Sequence, residues 1–453
     1  MKGKYYKKPK KNPHNYHFRV ILIITIGLFI AIVLAIKQAL SPPLFPLFHG
    51  PHLSQALYKA GINEAEVLGS KSKRSASRSK PKPTSTRKPK RGGNLSTPTS
   101  TATPSPTSIP TPTVSPTLNQ LGIAAGGDLP YLGQSDLDIY FSQLKELGIS
   151  WLRYDFEWRL IQTNGPSDFD WSGTDRVVQT ASKYGIKTLG TITYTPTWAQ
   201  SPACKGNFAC APADPNAFGL FAGQVTARYA PQGIHHWEIW NEPNYHGFWK
   251  PAPNVSSYVA ILKSAYTNIK KVDPSAFILS GGLASAGDED NNIAPITFIR
   301  ALYKLNTTKD FDAVAIHPYT YPALPSYPAS WNSWQQIDSI RQLMIDHGDG
   351  NKPLWITEYG APTSGSGNSH DITQLDNFAW GSDYMTENAQ EMMITDVLSL
   401  FSQIKGPTGP FFWYSLHDNG TSKDTPENFF GLLRNDWSKK PAYDTFRNAI
   451  LSK

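Results

Sequence analysis

Between Leu118 and the C-terminus, eight short apolar runs alternate with eight amphipathic stretches, and this alternation leaves the folded part of the 453-residue chain few architectures. The runs at 121–125, 151–156, 187–194, 235–240, 277–280, 311–318, 353–357 and 410–414 are rich in β-branched and aromatic residues and predict strands. Apolar positions three and four apart predict helices at 136–147, 175–184, 218–229, 257–271, 296–305, 334–346, 387–404 and 442–451. Gly148 and Gly185 stand where the first two helices must stop. Strictly alternating strands and helices build parallel sheets, and eight pairs in one stretch predict a (β/α)8 TIM barrel over residues 118–453. No solenoid-type repeat competes with this reading.

Two of the predicted strands end on a glutamate. Trp237-Glu-Ile-Trp-Asn-Glu-Pro-Asn244 runs as a strand until Pro243, which has no N–H for the ladder, so Glu242 lies at the strand's C-terminal end. Pro353-Leu-Trp-Ile-Thr-Glu-Tyr-Gly360 repeats the design, with Glu358 at the end and Gly360 loosening the chain after it. The C-terminal ends of barrel strands form the face where chemistry is done. A pair of carboxyl groups there suits cleavage of a glycosidic bond: one must stay protonated to serve the leaving oxygen, the other ionised to attack carbon.

The formal charge of +8 belongs to the N-terminal tails. Of 43 Lys and Arg, 19 precede Leu118, where Glu64 and Glu66 are the only acidic residues; the remaining 24 face 33 acidic residues, a net of −9 for the folded part. An acidic barrel lacks the basic face that nucleic-acid binding needs. Residues 1–19 form a basic tail, and residues 20–40 hold an uncharged run from Val20 to Ile36 with Lys37 behind it. That pattern predicts a single-pass signal anchor with the tail in the cytoplasm and everything after it outside the cell. Pro42-Pro43 and the absence of a small-residue cleavage site weigh against a removed signal peptide. Residues 41–70 have no assigned role. Residues 71–117 are first Lys/Arg/Ser/Pro-rich and then Thr/Ser/Pro-rich, a disordered linker by composition that reaches on the order of 100 Å. Cys204 and Cys210, the only cysteines, bracket five residues after the third strand. Outside the cytoplasm they are expected to form a disulfide contributing about 2 kcal/mol.

With Trp240-Asn-Glu-Pro-Asn244 on strand four and Thr357-Glu-Tyr-Gly360 on strand seven, the chain resembles glycoside hydrolase clan A. Within the clan it most resembles family 39 and its relatives, then family 5. Arg153, Asp155 and Trp158 near strand two, Tyr194-Thr-Pro-Thr-Trp198 after strand three, His317-Pro-Tyr319 after strand six, Trp413 on strand eight and Lys440-Pro-Ala-Tyr443 continue the likeness, which covers residue 118 onward. The resemblance implies a retaining glycosidase with Glu242 as general acid/base and Glu358 as nucleophile. It implies that Asn241 holds the sugar's 2-hydroxyl, that His317 or Tyr319 with Arg153 orients Glu358, and that Trp158, Trp198 and Trp413 contact substrate. Glu238, inside the barrel, competes with Glu358 as the partner of Arg153.

A carbohydrate substrate, a monomeric barrel tied to the plasma membrane, and no cofactor are therefore expected. A metal is not: His235-His236 has no third ligand at zinc spacing, and Asp288-Glu-Asp-Asn-Asn292 lacks the spacing of a calcium loop. A barrel that binds carbohydrate without cleaving it, as in an adhesin, is the other class of reading. Loss of catalysis usually removes one carboxylate, and here both are present. A transglycosylase is a variant of the enzyme reading.

Overall fold

The computed structural model of the chain describes residues 120–372, 375 and 378–451. The basic tail, the apolar run at 20–40, the segment at 41–70 and the linker at 71–117 lie outside the described residues. Among the described residues no helix is long and apolar enough to cross a membrane.

The strands are β1 (Leu121–Ala124), β2 (Trp151–Glu157), β3 (Lys187–Thr193), β4 (His236–Ile239), β5 (Phe277–Leu279), β6 (Leu283–Ala284), β7 (Val314–His317), β8 (Leu354–Tyr359), β9 (Ser369–His370), β10 (Tyr384–Met385) and β11 (Thr408–Tyr414). β9 and β10 pair only with each other; the other nine form one parallel sheet in the order β5-β4-β3-β2-β1-β11-β8-β7-β6. β5 and β6 are two pieces of one stave, interrupted at 280–282. β4 pairs with β5 and β6 with β7, while bridges from Asn241 to Gly282 and from Leu279 to Ala313 join the flanks. Nine strands thus occupy eight places around a ring, the arrangement of a (β/α)8 barrel.

The helices are α1 (Gln134–Leu147), α2 (Trp158–Ile161), α3 (Ser172–Tyr184), α4 (Pro215–Tyr229), α5 (Val255–Val272), α6 (Pro295–Lys304), α7 (Ile337–Asp346), α8 (Glu387–Phe401) and α9 (Pro441–Leu451). Capping explains starts that lie earlier than the apolar pattern alone predicts. Asp214 accepts from the Asn216 amide with Pro215 at the first helical position, so α4 begins at 215 rather than 218. Asn254 accepts from the Ser257 amide and starts α5 at 255. Gly148 and Gly185 close α1 and α3 at φ 81° and 70°, a conformation in which a side chain is strained.

The barrel interior is layered. At its lower end Trp151, His236, Phe277, Trp355 and Phe412 pack together, with Trp151 edge-on to His236 at 4.9 Å and to Trp355 at 5.8 Å. Two residues further along their strands come Arg153, Glu238 and Thr357, all buried. The period of two carries aromatic packing below directly into buried charge above. Cys204 and Cys210 are bonded to each other in the loop after β3.

Candidate active site

β4 ends in an unusual turn. Trp240 and Glu242 both take positive φ, 73° and 48°, a region that costs non-glycine residues on the order of 1–3 kcal/mol each. The surroundings hold them there. The Trp240 amide still donates to Ile192 at 2.9 Å, its indole N–H donates to the Phe248 carbonyl at 2.8 Å, and the Glu242 amide donates to Gly282 at 3.0 Å. The turn aims the Glu242 carboxyl back over the barrel, where it is fully buried.

Arg153 organises the floor of the site. Its Nε donates to Glu238 Oε2 at 2.5 Å, Nη1 to Glu358 Oε1 at 2.5 Å and Nη2 to Asn241 Oδ1 at 2.9 Å. The two partners that compete for Arg153 in the sequence are both engaged. Glu358 also accepts from the Tyr319 hydroxyl at 2.9 Å. One carboxylate oxygen each of Glu242 and Glu358 and a ring nitrogen of His317 all lie within 4.8 Å of one another.

Counting donors along a second chain of contacts assigns the protons. Glu238 Oε1 accepts from the Gly282 amide at 2.7 Å and from the Thr357 hydroxyl at 2.9 Å. Having given its proton to Glu238, Thr357 Oγ1 must accept from His317 Nε2, 3.0 Å away. A neutral His317 then has only an acceptor at Nδ1. The atom facing Nδ1, Glu242 Oε1 at 2.9 Å, must carry the proton. The alternative, an imidazolium against an ionised Glu242, would put two more charges into a fully buried site. Burial, and then the charge of Glu358, push Glu242 well above the usual carboxyl range, in agreement with this proton count. Burial also raises Glu358, but Arg153 and the Tyr319 hydroxyl pull it back towards the ionised form. Glu242 Oε2 has no hydrogen-bond partner among the described residues, so a protonated carboxyl group stands beside a braced carboxylate.

The expected substrate residues divide. Asn241, Arg153, His317 and Tyr319 converge on the two glutamates. Trp158 and Trp413 do not reach the mouth. Trp158 is buried, stacked on Phe221 at 5.5 Å, and its N–H goes to Gln162 Oε1. No ring face is left for a sugar. Trp413 is also buried and packs behind the strand near Phe446 of α9. Alternation along β11 turns its neighbour Tyr414 inward instead, where the charges of Asp128 and Glu358 add to the effect of burial in raising its hydroxyl. Trp198 is half-buried, its N–H bonded to the Gln162 carbonyl. The sequence did not single out Thr357, which relays between Glu238 and His317, and it placed Asp155 in the likeness without giving it a role; Asp155 lies two places beyond Arg153 on the inward face of β2. Asp155 Oδ1 has no partner among the described residues, and burial raises its carboxyl well above the usual range. Period two from Arg153 was the signal for Asp155; Thr357 carried none beyond its place beside Glu358. Among the described residues, Glu242, His317 and Glu358 are also a set of donors that a metal ion could bridge.

The comparisons with known proteins agree with this geometry. The profile of the family described as Cellulase (glycosyl hydrolase family 5) matches residues 116–396, more than half of the chain. A beta-xylosidase of Geobacillus stearothermophilus is 30% identical over 158 residues, a match covering 32% of this chain and 30% of that protein. The chain thus spans under a third of that relative. Among solved structures, a family 39 glycoside hydrolase from Bacteroides cellulosilyticus WH2 superposes with TM-score 0.57 at 21% identity, over 73% of this chain and 63% of that one. A monomeric beta-xylosidase from Caulobacter crescentus CB15 gives 0.55 at 18% identity, over 72% and 67%. The resemblance to clan A is borne out, with family 39 likeness in the fold, and by its profile match the chain belongs to the cellulase family, glycosyl hydrolase family 5.

Proposed function

We propose that the protein is a retaining glycoside hydrolase acting on β-linked sugars, with Glu242 as general acid/base and Glu358 as nucleophile. The observation that carries this reading is the close, unequal carboxyl pair: oxygens of the two within 4.8 Å, one carboxyl protonated through His317 and the other braced by Arg153 and Tyr319. Retention requires carboxyl groups about 5–5.5 Å apart, with no room for a water between them. Glu242 gives its proton to the glycosidic oxygen as Glu358 attacks the anomeric carbon, so the leaving group departs neutral and a glycosyl–Glu358 ester forms. Water then enters; Glu242 takes its proton, and the Glu358 carboxylate leaves. Because Asn241 Oδ1 accepts from Arg153, its amide N–H groups remain to donate to the 2-hydroxyl.

The names of the relatives make aryl β-xylosides and β-glucosides the first probes. Proton NMR of the product before mutarotation is expected to show the β-anomer first. A 2-deoxy-2-fluoro glycoside is expected to add its sugar mass to the peptide holding Glu358. Release of the α-anomer, or labelling elsewhere, refutes the assignment.

We further propose that residues 20–40 anchor the chain as a single-pass segment with the barrel outside the cell. The basic flank and Pro-rich linker support this, and the bonded cysteine pair fits an oxidising compartment. Protease added to intact cells is expected to free an active barrel; a barrel protected until lysis refutes it.

A further inference from the structure

The turn after β4 and the ends of β7 and β8 bring together three donors that no spacing in the sequence displays. One oxygen of Glu242, one ring nitrogen of His317 and one oxygen of Glu358 lie within 4.8 Å of one another, all on buried residues. His317 Nδ1 is 2.9 Å from Glu242 Oε1 and 3.7 Å from Glu358 Oε2. Zinc holds nitrogen and oxygen ligands at about 2.0–2.2 Å in a tetrahedron, which places neighbouring ligands about 3.4 Å apart. The two separations fall on either side of that edge, so shifts of about half an ångström seat an ion among the three.

The tautomer of His317 is the one a cation needs. Nε2–H is donated to Thr357, whose hydroxyl is donated to Glu238, so the lone pair of Nδ1 faces the two catalytic carboxyl groups. A histidine that binds metal through one ring nitrogen almost always donates through the other, and that outer bond holds the ring in place. Glu242 Oε2 is a second, independent sign: it is buried and has no hydrogen-bond partner among the described residues. Arg153 does not close the site to a cation. It bonds Glu358 through Oε1 and shares its charge with Glu238, while Oε2 of Glu358 faces His317. With Glu238 and Glu358 ionised and Glu242 protonated, the cluster carries one net negative charge. A divalent cation that displaces the Glu242 proton to solvent leaves the cluster neutral, and it does so in a buried place where uncompensated charge is costly.

We propose that Glu242, His317 and Glu358 form a binding site for one divalent cation of the zinc class, and that the cation and the sugar exclude each other. The donor set selects the class. An imidazole nitrogen with two carboxylate oxygens suits zinc, whereas calcium asks for about six to eight oxygens and magnesium for an octahedral shell that keeps several waters. The bound cation occupies the Glu358 oxygen that attacks carbon and replaces the proton that Glu242 donates. It therefore holds the protein at rest, and a sugar or a chelator returns the activity. The site rests on the placement of three side chains and not on which bond the protein cleaves.

The test titrates zinc into the full-length protein, stripped of metal and held in detergent, against a chromogenic chelator. Histidines beside carboxylates elsewhere, such as His235 with Asp273 and His370 with Asp383, bind zinc too, so the reading is the difference that blocking this site makes. The site is expected to take one zinc per chain with a Kd of about 1 μM. Glu242→Gln and Glu358→Gln are each expected to weaken it about 100-fold, and Thr357→Val, which lets His317 carry its proton on Nδ1, about tenfold, with Thr357→Ser restoring it. His235→Ala is expected to leave it unchanged. On an aryl glycoside, zinc is expected to raise the apparent KM without lowering kcat, and a chelator to reverse this. Unchanged zinc affinity in both glutamine variants, or inhibition that lowers kcat alone, overturns the proposal. If the glutamine variants do not fold, the 2-fluoroglycosyl ester on Glu358 of the unsubstituted protein serves as the block, and zinc binding that is the same with and without the ester overturns it. If no glycoside is cleaved, the retaining reading fails, and the zinc titrations of the variants still decide the site.

Discussion

Thr357→Val tests the proton relay at its least conspicuous member. Valine keeps the shape of threonine and removes only the hydroxyl that donates to Glu238 at 2.9 Å and accepts from His317 at 3.0 Å. Without that acceptor, His317 is free to carry its proton on Nδ1 and donate to Glu242, which favours the ionised acid. The acid's pKa therefore falls, and the basic limb of the pH profile moves to lower pH. One hydrogen bond within a buried network is worth about 0.5–1.5 kcal/mol net, which corresponds to a shift of about 0.4–1.1 pH units. The assay is kcat/KM against pH on a glycoside with a poor leaving group, whose cleavage depends on the proton. The acidic limb reports Glu358, whose carboxylate is held by Arg153 and Tyr319 rather than by the Thr357 hydroxyl, and is expected to stay in place. A basic limb that is unmoved, or displaced upward, refutes the proton assignment.

Tyr319→Phe removes one hydroxyl from the buried Glu358 carboxylate while the ring still stacks on Tyr359. The acidic limb is expected to rise by about 1–2 units, since a bond to a charged group is worth about 1.5–3 kcal/mol; an unmoved acidic limb refutes the role. Glu242→Ala is expected to lose on the order of 10²–10⁴ in rate on poor leaving groups, less on activated aryl glycosides, with recovery by azide on the latter; equal losses on both, or no recovery, refute Glu242 as the acid. At Gly282 a Cβ would overlap both the His317 ring and the Glu238 carboxylate, so Gly282→Ala is expected to lower thermal stability by about 1–3 kcal/mol and activity with it; full activity counts against the relay. Glu427 is buried with neither carboxyl oxygen hydrogen-bonded to another described residue, and burial, opposed only by its own backbone N–H, raises it to about 7. A folded-state pKa above the unfolded one means that stability falls as pH rises from the unfolded pKa to the folded one, so Glu427→Gln is expected to gain on the order of 2–3 kcal/mol at pH 8 and almost nothing at pH 4 in thermal unfolding; equal effects at both pH values refute this.

What the sequence revealed and what it hid follow from the range of each interaction. Strand and helix identity is local, so all eight staves could be read from apolar runs, and the two glutamates from strands that stop beside Pro243 and Gly360. The helix starts at Pro215 and Val255 were missed because a cap lies outside the apolar pattern it serves. The resemblance puts Trp413 in the site, and the sequence does not display which of the adjacent aromatics Trp413 and Tyr414 points inward. The register of β11 decides that, through Phe412 in the lower layer. The resemblance implies that Trp158 contacts substrate, but it opens α2 and turns into the packing of α4. The relay was the least legible part, since Glu238 and Thr357 are 119 residues apart and meet only when β4 and β8 face each other across the barrel.

Charge counting explains why two glutamates with similar local sequences hold different protonation states. The buried cluster has one fixed cation, Arg153, and it is bonded to two carboxylates, Glu238 and Glu358. With Glu242 protonated and His317 neutral, the cluster carries a net charge of −1. Ionising Glu242 would bring it to −2 with no further cation in contact among the described residues, so the third carboxyl keeps its proton. Glu242 is the one that does so because Arg153 does not bond it and its partner, His317 Nδ1, is an acceptor. The same count bears on catalysis. The sugar at the transition state is oxocarbenium-like and positive, and it forms beside a preorganised site of net −1 without any need for the protein to reorient charge. Arg153 therefore has to remain bonded to Glu238. If Glu238 were neutral, Arg153 would be shared by fewer anions, Glu242 could ionise more readily, and the site would lose its acid in the act of strengthening the hold on its nucleophile.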